Sequence, residues 1–543
     1  MTPPKAFLCL VLHGHLPFIR HAEVPECLEE DWFFEALTEV YLPLLEVFQR
    51  LNQDGIGFKL GFSLSPPLTG MMTDPLLGAR YDRYLENLIR LSESERRRTA
   101  GDPSFAPLAA MYHQRFLRAR ELWNQVYHRD LLGPFRELHR SGHLELMTTG
   151  ATHGFLPLME VIPAALRAQV EVGCASFEKA FGSRPAGFWL PECGYTPWVD
   201  SVLSDAGVRY TFLETHGVLH ATPRPKFGVY APVRSSSGLA LFGRDPETTR
   251  QVWSSVDGYP GDFWYRDFYR DAGFDLPEEY LRPFRNHGGL RVATGIKYFR
   301  ITGRTDWKEP YQPAAALAKA EEHAGNFLFN RERQAEHLCQ VMGQPAVITA
   351  MYDAELFGHW WFEGPAWLEH LLRKFDDSEI TSGAVSSSRS HANRSVIQLQ
   401  TPGEVLGRSG RIQTVAPHLS TWGWKGYNEM WLQETNAWIY RHLHRAAWRM
   451  SELVLANPAA SGLLQRALTQ ALRELFLAQS SDWAFILAQK TASQYAQGRL
   501  EKHLKVFTRL YEQIQSGNID PAWLAALEEQ DNLFPSLDYR IYR

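Results

Sequence analysis

Short apolar runs alternate along this chain with longer stretches of helical periodicity. Residues 6–12 are an unbroken apolar run ending on His13-Gly-His15-Leu-Pro17, and residues 57–63, 144–149, 209–213, 290–301 and 345–351 read in a similar way. Runs of this length predict strands buried on both faces, as in a parallel sheet covered by helices. Between them lie amphipathic stretches. Phe33, Leu37, Val40, Leu44, Val47 and Leu51 recur at alternating spacings of four and three, a helix that Pro43 is expected to kink. Ile162-Pro163 opens a helix to about Phe181, and residues 312–341 form another. Strands alternating with helices, with polar residues gathered where the strands end, predict an α/β fold with its site at one rim of a parallel sheet or barrel.

The length of 543 residues exceeds what one hydrophobic core usually supports, so several domains are expected. Residues 75–140 are charged, Arg-rich and helical in pattern, an excursion from the sheet. Residues 229–260 break into short pieces and turns, which predicts a loop-rich insertion above the site. A Ser/Thr/Gly/Arg-rich stretch at 376–420 marks the domain boundary, and the chain is helical in pattern from Gly426 onward. The expected division is a catalytic domain at 1–400, a connecting aromatic segment at 401–425 and a helical domain at 426–543.

Composition narrows the function. A net charge of −5 gives no electrostatic reason to expect nucleic acid or an anionic membrane as partner. A neutral polar ligand fits better. Five Cys without paired or C-x-x-C spacing indicate neither a disulfide scaffold nor a thiolate zinc site, and a reducing cytoplasm is expected. The first apolar run is too short for a signal peptide or a membrane span.

The candidate chemistry sits at two strand ends. In Gly187-Phe-Trp-Leu-Pro-Glu-Cys-Gly-Tyr195 an apolar run delivers Glu192, and Pro345-Ala-Val-Ile-Thr-Ala-Met-Tyr-Asp353 delivers Asp353 just before Trp360 and Trp361. Either acid alone is equally well a structural ion-pair partner or helix cap. Two together suit glycosidic bond chemistry, in which one carboxylate stays ionised and the other stays protonated. His13 and His15 also fit a metal-dependent hydrolase, with His153, His216 and Asp353 completing a metal set. Hydrogen bonding to a sugar is served equally by that spacing. Trp189, Trp198, Trp264, Trp360, Trp361, Trp422, Trp424 and Trp431 cluster near the expected rim, where flat rings suit the C–H faces of sugars. Core packing is the alternative for each of them singly.

Five stretches in order, His13-Gly-His-Leu-Pro17, Gly150-Ala-Thr-His-Gly154, Gly187-Phe-Trp-Leu-Pro-Glu-Cys-Gly-Tyr195, Ala350-Met-Tyr-Asp-Ala-Glu-Leu-Phe-Gly-His-Trp-Trp361 and Ser481-Asp-Trp-Ala-Phe485, resemble the motifs of glycoside hydrolase family 57. Within that family they are most similar to the 1,4-α-glucan branching enzymes. The resemblance implies a (β/α)7 barrel with a small inserted helical region and a C-terminal α-helical domain. It implies Glu192 as nucleophile, Asp353 as general acid/base, and His13, His15, His153 and Asp482 lining the sugar site without metal or cofactor. Trp422 and Trp431 match acceptor-side tryptophans, Trp360 is expected to bind substrate, and the partner is an α-glucan. An α-amylase-like hydrolase or 4-α-glucanotransferase would use the same two acids. A metal-dependent hydrolase and a non-catalytic glucan-binding protein remain as readings from other classes. Branching members carry a tyrosine on a loop over the cleft, whereas residues 234–259 here contain none before Tyr259. A hydrolytic side reaction is therefore expected.

Overall fold

The computed structural model describes residues 4–285, 289–376 and 396–543. Nine strands occur among the described residues: β1 (Ala6–Gly14), β2 (Leu60–Leu64), β3 (Leu144–Met147), β4 (Gly187–Phe188), β5 (Tyr210–Leu213), β6 (Val233–Arg234), β7 (Ala240–Gly243), β8 (Ala346–Asp353) and β9 (Ile397–Leu399). One sheet runs β3-β2-β1-β8, all parallel, with β9 beside the start of β1; the other runs β4-β5-β7-β6. Two links close the ring. Thr148 bridges Phe188 in parallel fashion, and the Asp245 amide donates to the Thr349 carbonyl at 2.9 Å. Seven parallel strands thus form a barrel, with β6 antiparallel on the flank of β7. β1 is buried along almost its whole length, as its unbroken apolar pattern requires.

The helix over residues 30–53 is not broken by Pro43. It widens to a π-helical turn at Leu37–Tyr41 and continues as Leu42–Gln53. Pro43 has no amide to donate to the Glu39 carbonyl, and the wider turn absorbs that loss. The backbone of Gly358 packs on this carbonyl: a Cβ there would lie 1.9 Å from it, so only glycine fits. That contact ties the segment after Asp353 to the helix. The excursion is helical as expected, with helices Pro75–Arg98, Ala106–Glu121 and Leu132–Arg140.

Three expectations need correction. Residues 229–260 are not simply an insertion, because β7 within them is a barrel strand pairing with β5. A strand of four residues framed by a Ser-Gly hairpin leaves too little periodicity to stand out. Residues 290–301 form no regular strand among the described residues; Asp271 captures the amides of Thr294 and Gly295, and isolated bridges join Arg266 to Arg300 and Phe299 to Pro310. The 376–420 stretch is not a bare connection: β9 pairs with β1, and a Thr401 to Glu404 capping box starts helix Pro402–Arg408. Residues 377–395, including its Ser-rich run, lie outside the described residues. Beyond it follow helices Trp438–Ala456, Gly462–Ala478, Ser481–Gln489, Ser493–Ser516 and Pro521–Gln530. All five Cys are free, and among the described residues no helix is long and apolar enough to cross a membrane.

Candidate active site

The site forms where the barrel strands end. Register places His13 of β1 beside Asp353 of β8 on one side and Ser63 of β2 on the other. Glu192 follows β4 on a tight turn, Pro191–Cys193, in which Glu192 (φ 60°, ψ 20°) and Cys193 (φ 50°) are left-handed. Such a conformation costs a non-glycine residue about 1–3 kcal/mol and persists only when its surroundings fix it. Here the Trp422 amide donates to the Glu192 carbonyl at 3.0 Å, and the Tyr195 amide donates to Ser420 at 2.9 Å. The segment after the barrel therefore clamps the turn that carries the acid.

The Glu192 carboxylate accepts one neutral donor on each oxygen. Trp422 Nε1–H reaches Oε2 at 2.9 Å and the Ser481 hydroxyl reaches Oε1 at 2.9 Å. Its side chain keeps 14% of its exposure, so it remains open to the cleft. Burial pushes its pKa above the ordinary carboxylate value, and the Trp422 and Ser481 hydrogen bonds oppose that rise. Asp353 differs. Among the described residues no side-chain donor reaches its carboxylate, and burial together with the charges of Glu355 and Glu192 holds its pKa well above the usual range, opposed by Arg244. Of the two acids, Asp353 is the one whose surroundings favour the protonated form more strongly.

Behind them lies a histidine network. His13 Nε2 and His153 Nε2 share a hydrogen bond at 3.0 Å; His13 Nδ1 meets Ser63 Oγ at 3.1 Å and His153 Nδ1 meets Ser481 Oγ at 2.9 Å. Burial lowers the pKa of both rings, so they work as neutral donors and acceptors. His15 stacks on His153 with centroids 3.7 Å apart, and its Nε2 pairs with Asp482 Oδ2 at 3.0 Å. Burial would raise Asp482, but His15, His153 and Ser480 outweigh it and hold the carboxyl at about 2. Asp482 thus reaches the barrel site from the C-terminal helices as an ionised group.

A metal has to be weighed against this network. His15, His153 and Asp482 each offer a ligand atom within 4.8 Å of one another. Yet every ring nitrogen of His13, His15 and His153 is engaged by a protein partner, so a bound cation would have to displace several of these hydrogen bonds. His216 does not join them; its Nε2 is held by the Gly426 carbonyl at 2.7 Å.

The tryptophans divide. Trp198, Trp264, Trp360 and Trp424 are exposed, whereas Trp189, Trp361 and Trp431 are core residues. Trp431 therefore corrects the expectation of an open acceptor ring: it is 1% exposed and stacks on Phe155 with centroids 4.5 Å apart. It also braces the Trp422 loop from behind, since a Cβ on Gly423 would lie 2.6 Å from its ring. Trp360 rests on Phe268 at 4.3 Å and shows its other side to solvent.

Four residues in and around the site carry no role in the sequence reading. Ser481 adjoins the expected Asp482 and was visible only as part of that motif. Glu355 accepts from the Tyr41 hydroxyl and from the His15 amide, two residues beyond Asp353. Tyr440, from the first C-terminal helix, feels the charge of Glu192. Arg244, just past β7, pairs with Glu214 at 3.0 Å.

Comparison with known proteins fits this arrangement. The family model described as glycosyl hydrolase family 57 matches residues 9–400, and one described as the C-terminal part of 1,4-alpha-glucan branching enzyme matches residues 442–542. The chain is 31% identical to a 1,4-alpha-glucan branching enzyme of Thermococcus kodakarensis, over 98% of this chain and 77% of that protein. Among solved structures it is similar to the alpha-amylase AmyC of Thermotoga maritima (40% identity, TM-score 0.89, 99% of both chains). A branching enzyme of Pyrococcus horikoshii is similar too (30% identity, TM-score 0.86, covering 99% of this chain and 97% of that one). With its family model spanning most of its length and its barrel and five motifs in place, the chain belongs to glycosyl hydrolase family 57.

Proposed function

We propose that this chain is a 1,4-α-glucan branching enzyme. The Glu192 carboxylate attacks the anomeric carbon of an α-1,4-linked glucan, and the bond to the departing O4 breaks as that oxygen takes the proton of Asp353. A glucose 6-hydroxyl then gives its proton to Asp353, bonds to the anomeric carbon and releases Glu192, leaving an α-1,6 branch. The observation that carries this reading is the shared construction of the site. Trp422 and Ser481, from beyond the barrel, hold the nucleophile, and Ser481 lies in the portion that matches the branching-enzyme C-terminal model. His13, His15, His153 and Asp482 form the polar wall of the sugar subsite, Trp422 its acceptor-side ring and Trp360 an outer platform. Trp431 acts through the Trp422 loop. The five free thiols fit a cytoplasmic protein.

Hydrolysis is the second reading, favoured by the 40% identity to the alpha-amylase AmyC of Thermotoga maritima. Both readings use one glycosyl-enzyme and differ in whether water or a sugar hydroxyl takes it. Incubation with amylose separates them: new α-1,6 linkages should outnumber new reducing ends. Reducing ends without α-1,6 linkages would establish the hydrolase instead. Activity abolished by a chelator and restored by a divalent cation would overturn both in favour of metal chemistry at His15, His153 and Asp482.

A further inference from the structure

Arg244 reaches both the Asp353 strand and the Trp422 ring and belongs to none of the five motifs. It follows directly on β7, so its side chain starts at the same rim as Glu192 and Asp353. It is 7% exposed. Its Nη1 donates to Glu214 Oε2 at 3.0 Å, and its Nη2 approaches the Met351 carbonyl at 3.4 Å. Met351 precedes Asp353 by two residues on β8, the spacing that returns to the same face of a strand. The guanidinium carbon also lies 5.3 Å from the centroid of the Trp422 ring, the ring whose N–H holds Glu192. A planar cation near an aromatic face is attracted by the ring quadrupole, and more so when water is excluded. Lysine would keep the charge but neither the plane nor the fork.

We propose that Arg244 is a positioning residue for both halves of the reaction, holding the Trp422 ring against Glu192 with its guanidinium face while presenting its charge to the Asp353 strand end. It touches neither the substrate nor the reacting atoms. Through Trp422 it fixes the nucleophile and the acceptor-side ring. Through its charge it sets how far Asp353 is raised, against Glu355 and Glu192, with Cys193, Tyr41 and His13 as the other titratable groups around that acid. Glu214, ionised by its contact with Arg244, orients the fork.

The inference rests on the proposed glycosidic chemistry, and the test separates the two. Arg244→Gln should shift the basic limb of the kcat/KM profile for reducing-end release from amylose to higher pH, because Asp353 loses a cation that opposes its rise. The same variant should lower the ratio of α-1,6 bonds to reducing ends several-fold. Arg244→Lys should restore the basic limb but not the product ratio, since lysine supplies charge without the ring contact. A double variant, Arg244→Gln with Glu214→Gln, covers the case in which an orphaned Glu214 unfolds the single one. A purely structural role would lower thermal stability and leave both the limb and the ratio as in the wild type, and that result overturns the inference. An active Glu192→Gln would instead overturn the underlying chemistry, whatever the Arg244 variants do.

Discussion

The pockets of Glu192 and Asp353 are built from the same idea and end differently. Each acid is delivered by a strand of one barrel to one rim, and each is pushed up by burial. Glu192 then receives two neutral donors from segments that lie 230 and 289 residues further along the chain. Asp353 receives no such donor among the described residues and has Glu355 as a neighbour, itself kept in place by Tyr41 and the His15 amide. Strand position thus brings the acids together, and later segments make them unequal. A barrel with equal surroundings for both would hold two carboxyls competing for one proton.

The sharpest way to break the contrast is to remove the acid that the two donors hold. Glu192→Gln keeps the shape and can accept the Trp422 N–H, but it cannot bond to the anomeric carbon, so turnover should fall on the order of 10⁴-fold or more. Glucan binding, followed by affinity electrophoresis, should persist. Asp353→Asn removes the proposed proton donor instead. Its loss should be about 10²–10⁴-fold on amylose, and smaller on an aryl maltooligosaccharide whose leaving group needs little protonation. Equal losses on both substrates would make Asp353 a structural carboxyl.

Ser481→Ala tests the donors. A hydrogen bond to a charged group is worth about 1.5–3 kcal/mol, and it favours the ionised form of Glu192. Its removal raises the Glu192 pKa, so the acid limb of kcat/KM should move to higher pH while the basic limb stays. An unmoved acid limb would mean that Ser481 serves His153 alone. Trp422 and Trp431 should separate in kind. Trp422→Phe should disturb kinetics, through the lost N–H, whereas Trp431→Ala should chiefly cost stability, about 3–5 kcal/mol for a large aromatic removed from a packed core. A Trp431→Ala variant of full stability with an altered product ratio would return that ring to the sugar site.

What could be read in the sequence follows the same division. His13, His15, Glu192 and Asp353 are legible because an apolar run that stops on a polar residue is a local signal, and strand ends converge in any parallel barrel. Arg244 and the donor role of Ser481 are not legible, since their meaning arises from distant contacts, 107 residues away for Arg244 with Met351 and 289 for Ser481 with Glu192. The strand β7 is hidden by its length, and residues 290–301 imitate a strand because an apolar stretch is silent about where its amides go; Asp271 takes those of Thr294 and Gly295. Trp431 shows the limit for aromatics. The family resemblance implies that it is an acceptor-side ring, but a motif match carries no information on which face of a ring is covered.

The smallest effect concerns stability. The carboxyl of Asp353 is raised in the folded state above its unfolded value of about 3.9. Between that value and the folded one, the native state keeps a proton that the unfolded chain has released. Its contribution to stability is therefore fully present below about pH 4 and is lost as pH rises through the folded pKa. An Asn at 353 does not titrate and escapes this loss. Asp353→Asn should consequently match the wild type in melting temperature at pH 4 and exceed it at pH 8.5, by roughly 1–3 °C for a chain of this size. Glu192→Gln should gain less, because its carboxylate loses two donors suited to the charged form. Calorimetry of the two variants at both pH values reads the contrast directly: a gap for Asp353→Asn that does not widen with pH would mean that its carboxyl is ionised in the folded protein without penalty, and the two pockets would then be electrostatically alike.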